Sequence, residues 1–202
     1  MKKHLGDRRL RNRLTGEPEA ASIFQGLDEK NFHDFEAVWK PELVKRAKEF
    51  ATWAKQAEGN VQDAHWDWVG KAKNEAVYES FAIECDSMTQ GLMLVATAPH
   101  FARLKSQHGL DLCYIELIAT APWNRPKFSK APKYKGAGRA LLATAISWSV
   151  ELELKGRIGL CSLPESESWY DEQGMQRCGF DGDKKMEYFE MTEEDAGKYL
   201  NS

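Results

Sequence analysis

A pair of glycines one residue apart marks the segment of this chain best suited to chemistry. Glycine lacks a Cβ, so at a helix start Gly136 and Gly138 let backbone N–H groups point into an open concavity. That concavity lies at the positive end of the helix dipole, which favours a phosphate. The pattern predicts a phosphate-binding loop, although a tight turn without a ligand would carry the same glycines. The loop comprises Lys133, Tyr134, Lys135, Gly136, Ala137, Gly138 and Arg139.

An apolar strand and an amphipathic helix are predicted to hold this loop in place. Residues 112–120 form an apolar run that is typical of a strand buried on both faces. After the loop, apolar residues between 141 and 152 recur at helical spacing and share one face. The cations Lys133, Lys135 and Arg139 favour a ligand over a plain turn, because they would add positive charge beside the glycines. Strand, loop and helix in this order indicate a nucleotide or coenzyme site.

The bulk composition is that of a folded, enzyme-sized domain. The chain has 202 residues, of which 42% are hydrophobic and 29% charged, and this excludes disorder over most of its length. A net charge of −3 gives no global case for nucleic-acid binding. No segment approaches the ~20 apolar residues of a membrane span. The cysteines contain no C-x-x-C pair, so we expect reduced thiols in a cytoplasmic protein without a metal site.

We expect one folded domain that follows a basic N-terminal arm. Residues 1–20 are predicted to be a flexible arm, and residues 21–202 a single domain. That domain would comprise a helical N-terminal part at 28–74, a core at 76–191 and a C-terminal helix at 192–202. Asp28 is suited to cap the first helix, and a helix is predicted at about 62–74. Strands are predicted at 78–85 and 92–98, with a loose connection at 86–91, and a helical turn at 101–105.

The N-terminal arm concentrates positive charge. It would carry its cations into solvent, where they could reach RNA, DNA or an acidic partner. A solvated, frayed terminus is the simpler interpretation. Against the single Asp7, the first 13 residues contain Lys2, Lys3, Arg8, Arg9, Arg11 and Arg13.

The order of these motifs resembles that of the GCN5-related N-acetyltransferases. The matching segments are 115–122, 133–142 and 169–175, followed by a terminal hairpin, and the resemblance spans about 76–191. It implies an α/β fold with a mixed, mostly antiparallel twisted sheet, flanked by helices and preceded by a helical portion. Lys133 stands where the family has Gln or Arg, the link at 123–132 is longer than usual, and 163–164 lack the family's frequent Asn.

The resemblance also implies a co-substrate and a reaction. Acetyl-CoA would be the acetyl donor, with its diphosphate on the glycine loop, and an amine would attack the thioester directly in a ternary complex. Basic residues in 123–133 could contact its 3′-phosphate. The pantetheine arm would pair with the backbone of Ile118, Ala119 and Thr120. Tyr170 matches the family's general acid, which would protonate the departing sulfur. No metal is implied.

Glu116 is the first candidate for the base that accepts the amine proton. It interrupts an apolar strand, and a buried carboxylate is costly unless it is paired or functional. Burial would raise its pKa toward a useful range. An ion pair with a neighbouring Lys or Arg is the alternative. Glu84, on the preceding strand, is a weaker rival.

The acceptor and the assembly state stay open at this point. The tryptophans in 65–68 could line an acceptor pocket or pack the helices on the sheet. An unidentified amine, either a small molecule or a protein, is the expected acceptor, and a homodimer is left open. Two alternatives remain: a catalytically inactive CoA-binding regulatory protein, and an RNA- or ribosome-directed acetyltransferase that uses the basic arm.

Overall fold

A computed structural model describes residues 2–54, 65–126, 129 and 131–201 of the protein. Their strands form a mixed, mostly antiparallel sheet, as predicted. The chain divides into two compact units, Met1–Met93 with Ile118–Leu141, and Leu94–Leu117 with Leu142–Ser202. Single-domain organisation for 21–202 stays a prediction. Within the described ranges, no helix is long and apolar enough to cross a membrane.

The sheet of the first unit has strand order β7-β1-β2-β3-β4. The pairs β1–β2, β1–β7 and β2–β3 are antiparallel. The bounds are β1 Lys3–Asn12, β2 Pro18–Gln25, β3 Tyr78–Cys85, β4 Met88–Ala96 and β7 Tyr134–Lys135. The last residues of β4 continue into the second unit.

The flexible arm expected at residues 1–20 is wrong, because β1 and the start of β2 occupy it. Two side chains of β1 are buried, Leu10 at 0% exposure and Asn12 at 6%. Asn12 also closes the turn to β2, because its side-chain oxygen accepts the Leu14 N–H at 2.8 Å. Strand pairing and this buried face therefore order a segment whose other side chains are mostly polar.

Strands β3 and β4 are joined more tightly than expected. The predicted loose connection at 86–91 is wrong, because Asp86 and Ser87 form a two-residue turn with φ of 53° and 58°, and β4 begins at Met88. Positive φ at both positions is the geometry that joins neighbouring antiparallel strands. Gly91 lies inside β4, where a Cβ would come within 2.9 Å of Ile83 Cγ2. Glycine here reflects close packing rather than a loop.

The helices of the first unit follow β2 in the chain. Asp28 caps the first one, and its carboxylate accepts the Asn31 N–H at 3.1 Å. The bounds are α1 Glu29–His33, a π-helical segment Asp34–Trp39, α2 Lys40–Ala54 and α3 Trp68–Lys73. The helix predicted at about 62–74 is observed only from Trp68, and residues 62–64 lie outside the described residues.

The second unit has strand order β6-β8-β10-β9, and the short strand β5 pairs with β6 outside this order. Strands β6 and β8 are parallel, and β8–β10, β10–β9 and β5–β6 are antiparallel. Strand β6 extends into the first unit, as does α4 at its start. The bounds are β5 His100–Phe101, β6 Asp111–Thr120, α4 Ala137–Glu151, β8 Ile158–Ser162, α5 Glu167–Glu172, β9 Gln176–Asp181, β10 Met186–Met191 and α6 Glu193–Leu200.

The helical turn predicted at 101–105 is wrong, because β5 and an irregular turn take its place. The turn is ordered by a distant carboxylate. Glu190, which is fully buried on β10, accepts the Leu104 N–H and the Gln107 side-chain amide, each at 3.1 Å. The buried charge is satisfied by these donors, and the segment takes the shape that they require.

Candidate functional site

The glycine loop leads directly into α4, which begins at Ala137. Gly136 has φ of +112°, a region that favours glycine, whereas a Cβ there would meet only Leu10 Cδ2 at 3.5 Å. Its carbonyl accepts the Ala140 N–H at 2.9 Å, so Gly136 caps the helix. The N–H groups of Ala137 and Gly138 come before this first intrahelical bond and point out of the end of a 15-residue helix.

Tyr134 is buried beneath the loop and anchors it, so its side chain does not face a ligand. Its ring is 2% exposed, and its hydroxyl donates to Glu19 Oε2 at 2.7 Å. Its backbone N–H donates to Asn124 Oδ1 at 2.9 Å. Burial and the bond to the Glu19 carboxylate raise the pKa of Tyr134, so the phenol stays protonated and the anchor persists at neutral pH.

The cations of the loop differ in what they already bind. The Lys133 ammonium lies 2.8 Å from Asp86 Oδ2, and it holds the pKa of Asp86 below its usual range. Lys135 and Arg139 are exposed on either side of the glycines. A phosphate would therefore meet Lys135 and Arg139 at an exposed surface, whereas Lys133 would have to leave Asp86.

The end of β6 is partly engaged by the long link that follows it. Ala119 is buried, and Ile118 and Thr120 are half-buried. The Thr120 carbonyl accepts the Arg125 Nε–H at 2.7 Å, so Arg125 closes the link onto the strand. The sequence had grouped Arg125 with Lys127 and Lys130 as possible phosphate contacts, and those two lysines lie outside the described residues.

Two amide side chains that the sequence did not indicate fix the link. Gln90 is 1% exposed, and its Oε1 accepts from Trp123 Nε1 at 3.0 Å and from Asn124 Nδ2 at 2.9 Å. Asn124 in turn holds the Tyr134 backbone. This chain of bonds fixes the phosphate loop relative to β4. The two bonds to Gln90 span 33 and 34 positions, so no local pattern could reveal them.

Glu116, in the second unit, makes the ion pair that the sequence left as an alternative. Its carboxylate oxygens lie 3.2 and 3.3 Å from the Lys184 ammonium in the β9–β10 turn. The Glu116 side chain is 14% exposed and that of Lys184 is 45% exposed. Lys184 was not among the predicted site residues.

Tyr170 lies in α5 of the same unit. It is 6% exposed, and its ring packs edge-on to Trp169 at 5.0 Å and against Phe189 at 5.6 Å. Burial raises the pKa of Tyr170, so its hydroxyl keeps its proton at neutral pH, as a proton donor must. Arg177 stabilises the helix from β9 through a bidentate contact with Asp171 at 2.7 and 3.0 Å.

The tryptophans at 65–68 divide between core and surface. Trp68 is fully buried and packs edge-on against Phe35, with ring centroids 5.9 Å apart. Trp66 is half-buried against Trp68. Trp68 therefore packs the helical layer rather than lining a pocket. Glu84, the weaker rival base, is bonded to Lys2 and to the Asn31 amide, which places it in a structural network.

Comparison with known proteins identifies the fold. No family model matches the sequence, and no curated protein matches it. Among solved structures, a protein assigned as arylalkylamine N-acetyltransferase 7 from the mosquito Aedes aegypti has a TM-score of 0.54 at 12% identity, over 95% of each chain. An assigned GNAT-family acetyltransferase from Desulfovibrio desulfuricans gives 0.51 at 13% identity, over 86% of this chain and 99% of that one.

A bacterial toxin has a TM-score of 0.52 at 12% identity, over 71% of this chain and 83% of that one. The chain thus has the fold of the GCN5-related N-acetyltransferases. This confirms the fold that the motifs had predicted. Among the described residues, no group of three or more His, Cys, Asp or Glu side chains could hold a metal ion.

Proposed function

We propose that this protein transfers an acetyl group from acetyl-CoA to an amine. The observation that carries the proposal is the start of α4, where a positive-φ glycine precedes the first turn of a 15-residue helix, whose first amides have no intrahelical acceptor. In a fold shared with acetyltransferases, such a site is suited to a diphosphate. Its exposed flanking cations, Lys135 and Arg139, have the charge that a diphosphate requires.

The coenzyme would be held mainly by backbone groups. The N–H groups of Ala137, Gly138 and Arg139 would bind the diphosphate oxygens, and Lys135 would add charge. The backbone of Ile118 and Ala119 would pair with the pantetheine amides. Because the Thr120 carbonyl already accepts from Arg125, its pairing is the weakest part of the predicted set.

The reaction would proceed without a covalent enzyme intermediate. The amine nitrogen forms a bond to the thioester carbonyl carbon, and Glu116 accepts the proton that the nitrogen loses. The tetrahedral intermediate collapses as the carbon–sulfur bond breaks. Tyr170 donates its proton to the departing sulfur, which leaves as the free thiol of CoA, and solvent returns both catalytic groups to their starting states.

Binding and turnover test the proposal separately. Calorimetry of the whole protein with acetyl-CoA should show saturable binding, and release of free thiol should rise when a panel of amines is added. Gly136→Val should weaken binding, because valine is strained at φ of +112°. Gly197→Ala is the matched control, since its Cβ would meet nothing within 4 Å. Binding without thiol release from any amine would favour the CoA-binding regulatory alternative, and absence of binding would refute both.

A further inference from the structure

The N-terminal strand places a row of cations beside the glycine loop. Arg11 of β1 is paired with Lys135 of β7 in antiparallel register. Side chains of directly opposed residues leave the same face of a sheet, with Cβ atoms about 4.5–5.5 Å apart. Alternation along β1 puts Arg9 on that face as well. Arg13 follows directly after the strand and is also exposed. We call Arg9, Arg11, Lys135 and the adjacent Arg13 the basic face.

The basic face is exposed, and its charge is not neutralised within the described part of the chain. All four side chains are exposed, and none of them makes a hydrogen bond or ion pair to another described residue. The nearby carboxylate of Glu19 is engaged by Tyr134 and Asn12, which belong to the opposite, buried face. Like charges that lie directly opposite each other destabilise a sheet. The Arg11–Lys135 pair therefore destabilises the sheet unless an anion binds there.

Other cations of this unit have partners within the protein. Lys133 is paired with Asp86 at 2.8 Å, and Lys2 is bonded to Asp28 at 3.0 Å. Arg8 belongs to the same strand but to the alternate position, and its guanidinium donates to the Asp7 carbonyl at 3.1 Å. Lys133 and Lys2 are thus neutralised by carboxylates, whereas the cations of the basic face are exposed without such a partner among the described residues.

The basic face is fixed to the loop proposed to hold the diphosphate. Lys135 precedes Ala137 by two residues, and the Arg13 N–H donates to the Lys133 carbonyl at 2.8 Å. A coenzyme A molecule carries a third phosphate on the ribose that is joined to its diphosphate. A phosphomonoester is doubly charged and accepts several hydrogen bonds, which suits guanidinium groups.

We infer that the basic face, through Arg11 and Lys135, binds the ribose 3′-phosphate of the coenzyme and makes the protein selective for CoA over 3′-dephospho-CoA. This rests on the proposed function, because it assumes that the adjoining loop holds the diphosphate. A compact ligand is favoured over a nucleic acid because the cations converge on one cross-strand pair, and because the whole chain is acidic, with a net charge of −3.

Calorimetry with two ligands tests the inference on the full chain. Wild-type protein should bind CoA at least about tenfold more tightly than 3′-dephospho-CoA, as expected for loss of a charged hydrogen bond. Arg11→Gln should weaken CoA binding about tenfold and leave dephospho-CoA binding unchanged. Lys135→Gln also removes charge from the diphosphate, so it should weaken the binding of both ligands, and that of CoA more. Arg8→Gln is the matched control and should change neither affinity. Without ligand, Arg11→Gln should melt at an equal or higher temperature, because it removes the repulsion from Lys135.

The possible failures are distinguishable. If the wild type binds both ligands equally, or if its preference for CoA survives in both variants, the inference is overturned while the coenzyme site stands. If the wild type binds neither ligand, the proposed function falls and the inference falls with it. Salt-dependent binding of single-stranded RNA that is lost in Arg11→Gln, with the ratio of the two ligand affinities unchanged, would assign the face to nucleic acid instead.

Discussion

Replacing Glu116 by Gln distinguishes a general base from an ion-pair partner, because the two roles predict different losses of turnover and of stability. As a general base it is the proton acceptor, and its loss should lower turnover by about 10²–10⁴-fold. As a structural partner it pairs with Lys184, whose side chain is 45% exposed. A pair this open to solvent contributes about 0–1 kcal/mol to the free energy of unfolding, so breaking the pair should cost no more than about 1 kcal/mol. A large kinetic loss with a small stability loss identifies a base.

A matched substitution removes the cation and keeps the carboxylate. In Lys184→Gln, the carboxylate of Glu116 is kept, so turnover should be retained. The free energy of unfolding should fall by about 0–1 kcal/mol, the range for a pair that is open to solvent. Thiol release and urea unfolding measure the two quantities.

One outcome would refute this reasoning. If Glu116→Gln turns over within about twofold of the wild type, and unfolds with the same loss of stability as Lys184→Gln, the carboxylate is an ion-pair partner and the base lies elsewhere. That threshold is well below the ~10²-fold loss that removal of a general base produces.

Three further predictions follow from burial and backbone geometry. Tyr170→Phe should lower turnover by about 10²–10⁴-fold with unchanged acetyl-CoA affinity by calorimetry, and unaltered turnover would remove the phenol from the mechanism. Gly136→Ala should lower the free energy of unfolding by about 1–3 kcal/mol in urea, whereas an equal effect of Gly197→Ala would show that the strain is not at φ of +112°. Burial raises the pKa of Cys113 to about 12 and also raises that of Tyr114. Stability should therefore fall as the pH rises above about 9, because the unfolded chain loses protons that the folded chain keeps. Each group should lower the free energy of unfolding by up to about 1.4 kcal/mol per pH unit. A urea midpoint that stays constant from pH 8 to 11 would contradict this.

The parts of the molecule that the sequence predicted are those with local signals. The strand at Asp111–Thr120 and the helix at Ala137–Glu151 are each specified by apolar periodicity within a short window. Gly136 signals its own turn, because few other residues adopt its φ. These two elements and the turn at Gly136 were therefore accessible from the sequence.

The parts that escaped prediction depend on partners far away in the chain. Lys184 pairs with Glu116 across 68 positions, and Tyr134 meets Glu19 across 115. Strand β1 was not predicted for another reason. Its charged residues hide the alternation of apolar and polar positions, and Leu10 is its one fully buried apolar side chain among the described residues. A polar edge strand is stabilised by backbone pairing that no single-sequence pattern reports.

The loop proposed to hold the diphosphate is kept in place by bonds from Tyr134 to other parts of the protein. The buried hydroxyl of Tyr134 bonds to Glu19, its backbone N–H bonds to Asn124, and Asn124 bonds to Gln90. None of these bonds requires a coenzyme, so the loop is held in shape before binding. A preformed site avoids the entropy cost of ordering a loop when the ligand arrives. Selectivity is then left to the exposed cations on either side, and this is why the polar strand β1, rather than the glycines, should decide which coenzyme the protein prefers.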